Sequence, residues 1–406
     1  MPEQALSDVR ILDLTRYITG PYCAKLLGDY GADVTKVERP GTGDPARSMG
    51  PFFKDDPHPE KSGLFLYLNT NKKSITLNLK SGWGRTVVRE LVKDTDILVE
   101  SFRPGVMEKL GLGYQELKEI NPRLVMTSIS NFGQWGPYRD FKATEIVIFA
   151  MGGPMLATGR TGREPLKYYD SVSSYQIALD ATIATMACLR HARRTGVGQQ
   201  IDLSMFEALL SSIDRRGTYT LSWEYCQRLE TYRVTASAGG VMPQAGYACK
   251  DGYIQFTWTM RQHWPRFCRW IGRPELLEDP KFATVEQRMQ PEQMGVIEAF
   301  GASFLMDHTM AELMESMEEH QIPGGCVYSV ADVVADAQMQ HRQFFVEIDH
   351  PVAGKFRYPG APARPLETPW QAGRAPLLGE HNEEVYCGRL GYSKEDLVRL
   401  REQGVI

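Results

Sequence analysis

The stretch VRILDLTRYITGPYCAKLLGDYGADVTKVE, residues 9–38, decides the fold class of this chain. Residues 9–14 alternate as in a strand, residues 21–29 predict a short helix that begins with proline, and residues 33–38 predict a second strand. A strand, a helix and a strand within about 30 residues make one βαβ unit, whose two strands are parallel. The stretch therefore predicts an α/β fold built on a parallel sheet.

The same pattern recurs further along the chain. Residues 74–79, 96–100 and 124–129 predict strands, and residues 82–92 predict a helix. These elements indicate a Rossmann-like sheet in roughly the first 150 residues. The turn after the first strand, residues 15–21, lacks the GxGxxG spacing that brings backbone amides to a pyrophosphate, which argues against a nicotinamide-dependent dehydrogenase.

Composition excludes several other classes. The chain has 406 residues, and its 46 Lys plus Arg nearly balance 50 Asp plus Glu, so no strong field favours nucleic acid or a membrane surface. The N-terminus lacks a basic stretch followed by an apolar run, and no stretch approaches 18 uncharged apolar residues, so we expect a cytoplasmic protein. The seven cysteines are scattered, and the eight histidines lack the spacing of metal ligands, so no metal site is predicted.

Asp170 stands where a proline-containing turn, residues 165–171, becomes a helix that extends to about Arg194. A strand at residues 201–204 and a helix from Met205 follow. A carboxylate at the start of a helix is usually an N-cap that accepts hydrogen bonds from free backbone amides. The alternative is a catalytic carboxylate.

Beyond residue 225 the pattern changes. Residues 246–256 predict a hairpin with Lys250-Asp251-Gly252 at its turn, and short helical segments continue to about His320. Residues 354–369, rich in proline, predict a linker.

Short motifs in order along almost the whole chain resemble class III CoA-transferases. Besides the surroundings of Asp170, the motifs are LDLT at 12–15, LGDYGADV at 27–34, KVERPG at 36–41, NTNKKSI at 69–75, DILVESFRPG at 96–105, GQWGPY at 133–138, LGEHN at 378–382 and LGY at 390–392. The resemblance implies a Rossmann-like large domain built from both chain ends, an inserted smaller α+β domain, and two interlocked monomers. The corresponding boundaries are 1–224 for the first part of the large domain, 225–325 for the small domain, and 326–406 for the linker and the return.

The resemblance also implies a reaction. Asp170 would attack an acyl-CoA thioester to give an aspartyl anhydride and then an aspartyl-CoA thioester, from which CoA passes to another carboxylic acid. Glu145 would lie near the thioester, and Gly239 and Gly240 would belong to a loop that shields the intermediate from water. Coenzyme A is then a substrate, no cofactor is bound permanently, and succinyl-CoA is a candidate donor.

Family positions that contact CoA carry over to ten residues. Lys109 replaces an arginine, Ser101 replaces an asparagine, and Arg16 stands where part of the family has histidine. Basic side chains suit the several phosphate charges of CoA. The ten residues are Arg16, Tyr17, Thr19, Arg39, Leu77, Lys80, Ser101, Phe102, Lys109 and Lys142.

Three alternatives stay open. An acyl-CoA racemase or epimerase has a similar fold, but Thr144 stands where its histidine would be. The chain could also act in a heteromer with a related chain rather than as a homodimer. For the acyl group, Arg47, Arg215 and Arg216 are candidates to bind a second carboxylate, and Trp223, Trp258 and Trp264 would suit an aromatic acid.

Overall fold

The structure is a computed structural model that describes residues 4–159, 163–211, 216–227, 246–257, 262–288 and 290–406. Its largest sheet has six strands. All neighbouring strands in this sheet are parallel, and their order is β3-β2-β1-β4-β5-β6. The predicted α/β fold with a parallel sheet is thereby confirmed. The strands are β1 (Arg10–Asp13), β2 (Asp33–Glu38), β3 (Lys72–Thr76), β4 (Ile97–Glu100), β5 (Val125–Ser130) and β6 (Gln200–Ser204).

Strand β3 ends earlier than predicted. Alternating apolar residues extend to Leu79, but the ladder with β2 ends at the pair Glu38 and Thr76. Leu77 adds one more hydrogen bond, from its amide to the Glu38 carbonyl at 2.8 Å. Leu77 and Leu79 lie beyond the end of the strand, but their side chains still pack on the core. Apolar alternation therefore predicts a longer strand than the one that forms.

The chain divides into two units. The first comprises Met1–Pro154, Lys167–Tyr225 and His341–Ile406, and the second comprises Met155–Leu166 and Cys226–Gln340. Residues 326–340 thus group with the second unit. Among the described residues, no helix combines the length and hydrophobicity that a membrane crossing needs.

Helices cover both faces of the parallel sheet in the first unit. Neighbouring strand residues enter different cores: Leu12 and Leu98 pack with the C-terminal Leu397, whereas Ile11 and Ile97 pack with Ala178. This arrangement explains why Ile11 and Leu12 of β1 and residues 97–99 of β4 are consecutive apolar residues, since strands covered on both faces need no polar side. The helices in chain order are α1 (Thr19–Asp29), α2 (Gly63–Leu68), α3 (Gly82–Val92), α4 (Val106–Lys109), α5 (Tyr114–Ile120), α6 (Glu145–Met151), α7 (Pro154–Ala157), α8 (Val172–Thr195), α9 (Met205–Ser211), α10 (Arg216–Cys226), α11 (His263–Trp270), α12 (Val285–Arg288), α13 (Pro291–Met306), α14 (Met310–Glu319), α15 (Val330–Ala335), α16 (Ala337–His341) and α17 (Lys394–Glu402).

In the second unit, a small antiparallel sheet packs with helices. The predicted hairpin is present as β7 (Tyr247–Ala248) and β8 (Tyr253–Phe256), and β9 (Gly324–Cys326) pairs with the other edge of β8. Its core is rich in aromatic rings, with Phe256 stacked on Phe267 at a centroid distance of 5.6 Å.

A second hairpin replaces the first part of the predicted linker. Residues 345–350 form β10 (Phe345–His350), which pairs antiparallel with β11 (Gly354–Pro359). The linker prediction is therefore wrong for residues 354–359. Tyr358 of β11 and Ile348 of β10 pack against Phe65 of α2, so this pair of strands buries apolar side chains that a free linker would expose.

Candidate active site

Asp170 lies directly before α8 with its carboxylate exposed. Its φ of +49° is in the left-handed region that residues other than glycine rarely adopt, which costs of order 1–3 kcal/mol and occurs preferentially at active sites. Ser171 is the N-cap of α8, and no side chain among the described residues caps this helix end. The N-capping alternative for Asp170 is therefore wrong. Among the described residues, the carboxylate receives a single hydrogen bond, from the Ser171 hydroxyl at 3.4 Å.

Glu145 is joined to Asp170 through a lysine. The Lys167 ammonium lies 3.0 Å from Glu145 Oε2 and also donates to the backbone carbonyl of Asp170. Ser173, in the first turn of α8, donates its hydroxyl hydrogen bond to Glu145 Oε1. Sequence reasoning assigned no role to Lys167 or Ser173. No spacing rule would have found Ser173, because Glu145, its partner, belongs to a different helix.

Three tyrosines form a cluster that includes Tyr175, a neighbour of Asp170. Tyr175 of α8 meets Tyr22 of α1 edge-on at a centroid distance of 4.9 Å, and Tyr67 of α2 lies 6.2 Å from Tyr22. Burial, with a smaller effect of the Asp170 carboxylate, raises the pKa of Tyr175 to about 12. Its phenol consequently keeps its proton at neutral pH and is a hydrogen-bond donor near Asp170. No local sequence pattern pointed to this cluster, because its members come from three separate helices.

The predicted CoA positions that follow β1 and β4 come together. The order of the strands reverses between β1 and β4, which is the point where open parallel sheets bind ligands at the carboxyl ends of their strands. The Arg16 guanidinium lies 5.3 Å from the ring centroid of Phe102, and the Arg16 amide donates to Ser101 Oγ at 3.2 Å. Tyr17, with φ of +69°, donates its amide to Asp44 Oδ1 at 3.1 Å.

Other predicted CoA positions differ in how far they are exposed. Thr19, at the start of α1, is buried, and the Leu77 side chain packs in the hydrophobic core, which leaves only the Leu77 backbone for a ligand. The exposed positions are Arg39, Lys80, Lys109 and Lys142.

Arg47 cannot bind a substrate carboxylate where it lies. Its side chain is fully buried, with Nε 2.7 Å from Glu38 Oε2 and Nη1 2.6 Å from Glu60 Oε2. The Arg47 guanidinium also covers the ring of Phe65 at 3.6 Å. The candidate role of Arg47 in binding a substrate carboxylate is therefore excluded. Its charge is balanced inside the protein, because a buried guanidinium needs acidic partners.

Several predicted residues cannot be placed. Gly239, Gly240, Arg215 and Trp258 lie outside the described residues, and so does the side chain of Arg216. Trp264 is buried in the core of the second unit, whereas Trp223 is 40% exposed. Across the described part of the chain, no group of three or more His, Cys, Asp and Glu residues has the geometry of a metal site.

Known proteins match this chain over nearly its whole length. The model of CoA-transferase family III matches residues 6–382. A formyl-CoA:oxalate CoA-transferase of Streptomyces avermitilis is 35% identical over 99% of this chain and 100% of its own length. A succinyl-CoA–D-citramalate CoA-transferase of Chloroflexus aurantiacus is 32% identical over 100% of this chain and 99% of its own. The crystal structure of a CAIB/BAIF family protein from Brucella suis superimposes with a TM-score of 0.83 and 28% identity, covering 95% of this chain and 99% of that one. The chain belongs to CoA-transferase family III.

Proposed function

We propose that Asp170 is the covalent nucleophile of this CoA-transferase. Its carboxylate attacks the carbonyl carbon of an acyl-CoA, the C–S bond breaks, and an aspartyl anhydride and CoA thiolate form. The thiolate then attacks the aspartyl carbonyl, which releases the donor acid and leaves an aspartyl-CoA thioester. The acceptor carboxylate attacks this thioester, and the freed thiolate takes the acceptor's acyl group from the new anhydride, which restores Asp170.

The placement of Asp170 is the observation that carries this proposal. A nucleophilic carboxylate must be accessible and must not be occupied by strong hydrogen bonds, and Asp170 is exposed and caps no helix. Its backbone is fixed in a rare conformation and tied through Lys167 to Glu145. The Tyr175 phenol is a protonated donor that suits a developing negative charge on an acyl oxygen.

The carboxyl edge of the sheet is the proposed site for CoA. Arg16, Tyr17, Ser101 and Phe102 surround the point where the strand order reverses. Four exposed basic residues would add positive charge near the phosphates: Arg39, Lys80, Lys109 and Lys142. The buried Thr19 and Leu77 would support the site from beneath it. Gly239 and Gly240 remain the proposed shield over the intermediate.

The proposed substrates are an acyl-CoA donor and a second carboxylic acid. Relatives are named for formyl-CoA with oxalate and for succinyl-CoA with D-citramalate, which makes succinyl-CoA the first donor to test. The internal pairing of Arg47 removes one candidate for a second substrate carboxylate.

Assembly with a second copy or a related chain is also proposed. Val172, Leu179 and Ile183 form an exposed apolar row on α8, with exposed fractions of 48%, 46% and 68%. Apolar side chains in a row on one helix favour burial against another chain.

The test is to trap the intermediate. The purified chain is incubated with a panel of acyl-CoA thioesters that includes succinyl-CoA and formyl-CoA, treated with hydroxylamine and analysed by peptide mass spectrometry. We expect a hydroxamate on Asp170 of the wild-type protein and none on Asp170→Ala. Transfer by Asp170→Ala should fall by roughly 10⁴-fold or more while CoA still binds. The exposed Asp349→Ala, on β10, is the matched control, and near wild-type transfer by Asp170→Ala would contradict the proposal.

A further inference from the structure

The segment after β5, residues 131–144, is a fixed structure that we call the β5 loop. The Asn131 side-chain amide donates to the Ala143 carbonyl at 2.9 Å, which ties the two ends of the β5 loop together. The Gln134 amide donates to both carboxylate oxygens of Asp202 on β6, at 3.0 Å each. Phe132 packs on Tyr138 with ring centroids 5.7 Å apart. The β5 loop is thus held by hydrogen bonds at both sides and by aromatic packing at its centre.

Buried polar atoms without a partner concentrate on this part of the chain. Arg139 Nε, Gln134 Nε2 and Ser130 Oγ are all buried, and none has a hydrogen-bond partner among the described residues. A buried donor without an acceptor costs about 1–3 kcal/mol, and a charged one costs more. Arg47 illustrates the usual solution, since two glutamates balance its buried guanidinium. The half-buried Arg139 makes no ion pair with any described acidic residue.

The Arg139 side chain extends to the carboxyl edge of the sheet. A Cβ atom built on Gly105, which follows β4, would lie 3.0 Å from Arg139 Nη2. Gly105 has φ of +81°, a backbone conformation that favours glycine. A side chain at this position would also crowd the Arg139 guanidinium. Phe102, the residue that Arg16 covers, lies three positions earlier in the same turn. Arg139 therefore shares the edge of the sheet at which CoA is proposed to bind.

We propose that Arg139 binds a phosphate group of CoA through its guanidinium. The inference rests on the proposed function, which makes CoA the ligand of this edge. A guanidinium matches the geometry of phosphate oxygens, and no described acidic residue neutralises the half-buried Arg139. The exposed Arg16, Arg103 and Lys109 lie on the turns and the short helix after β1 and β4 and add positive charge on that side of the sheet.

Binding measurements with shortened ligands test this role. Calorimetry gives the Kd of CoA, 3′-dephospho-CoA and pantetheine for the wild-type protein, Arg139→Gln and Arg139→Lys. The matched control is Arg123→Gln, an exposed arginine at the opposite, amino end of β5. We expect Arg139→Gln to raise the Kd of CoA roughly 10- to 100-fold and to leave the Kd of pantetheine unchanged. The Kd of CoA for Arg139→Lys should lie between those of the wild-type protein and Arg139→Gln, since lysine keeps the positive charge.

The ligand series also identifies the phosphate. If the effect of Arg139→Gln disappears with 3′-dephospho-CoA, Arg139 binds the 3′-phosphate; if the effect persists, Arg139 binds the diphosphate. An equal loss for CoA and pantetheine, or no loss for CoA, would overturn the inference. Should Arg139→Gln not fold, the comparison of Arg139→Lys across the three ligands decides in the same way. An Asp170 hydroxamate together with unchanged CoA binding by Arg139→Gln would refute only this inference and leave the proposed function standing.

Discussion

Glu100, the last residue of β4, should make the stability of this protein fall with rising pH. Its side chain is 3% exposed, and burial raises its pKa from 4.5 to about 7, although the Phe102 amide donates to Glu100 Oε2 at 2.8 Å. Between these two values the folded protein holds a proton that the unfolded chain has lost. Stability from this group is therefore complete below about pH 4.5 and is lost as the pH rises through about 7. The full difference corresponds to roughly 3 kcal/mol, as an upper limit.

Glu100→Gln removes this dependence because an amide does not titrate. The variant and the wild type should have similar free energies of unfolding near about pH 5, and the variant should be more stable by up to about 3 kcal/mol near about pH 8. Urea unfolding at the two pH values measures both differences, and the exposed Glu119→Gln is the control. A difference between Glu100→Gln and wild type that is the same at both pH values would refute the reasoning.

Two further predictions concern polar groups that hold the first unit together. Lys36 is fully buried with its ammonium 2.8 Å from Asp44 Oδ2, so Lys36→Met should lower the free energy of unfolding by about 3–5 kcal/mol in urea. The double variant Lys36→Met/Asp44→Asn should recover part of this loss, and a simple sum of the two single effects would contradict the pairing. The Tyr386 hydroxyl, fully buried, donates to the Thr76 carbonyl at 2.8 Å and links the C-terminal segment to β3. Tyr386→Phe should therefore cost about 1–3 kcal/mol by the same measurement, and an unchanged unfolding curve would show that this hydrogen bond contributes nothing.

Much of the fold could be predicted from local pattern. The β-branched residues Val34, Thr35 and Val37 favour a strand, and the proline and glycine positions around residues 21–31 indicate where a helix begins and ends. Both elements form, with the helix beginning two residues earlier than predicted. Asp170 was found because it stands at the start of a helix within a recognisable motif. Prediction from local pattern fails where strand pairing with another segment decides the structure. Residues 354–359 have the composition of a linker but pair with β10.

The sequence by itself determined the α/β class, the family and the candidate nucleophile, because these depend on short-range periodicity and on motifs in order along the chain. Tertiary structure alone decided which charges are available for a ligand. Arg47 and Arg139 cannot be told apart by residue type, yet the first is neutralised by Glu38 and Glu60 and the second has no described acidic partner. The reason is physical: whether a guanidinium is buried, and which carboxylates surround it, depends on contacts between segments that meet only when the chain folds.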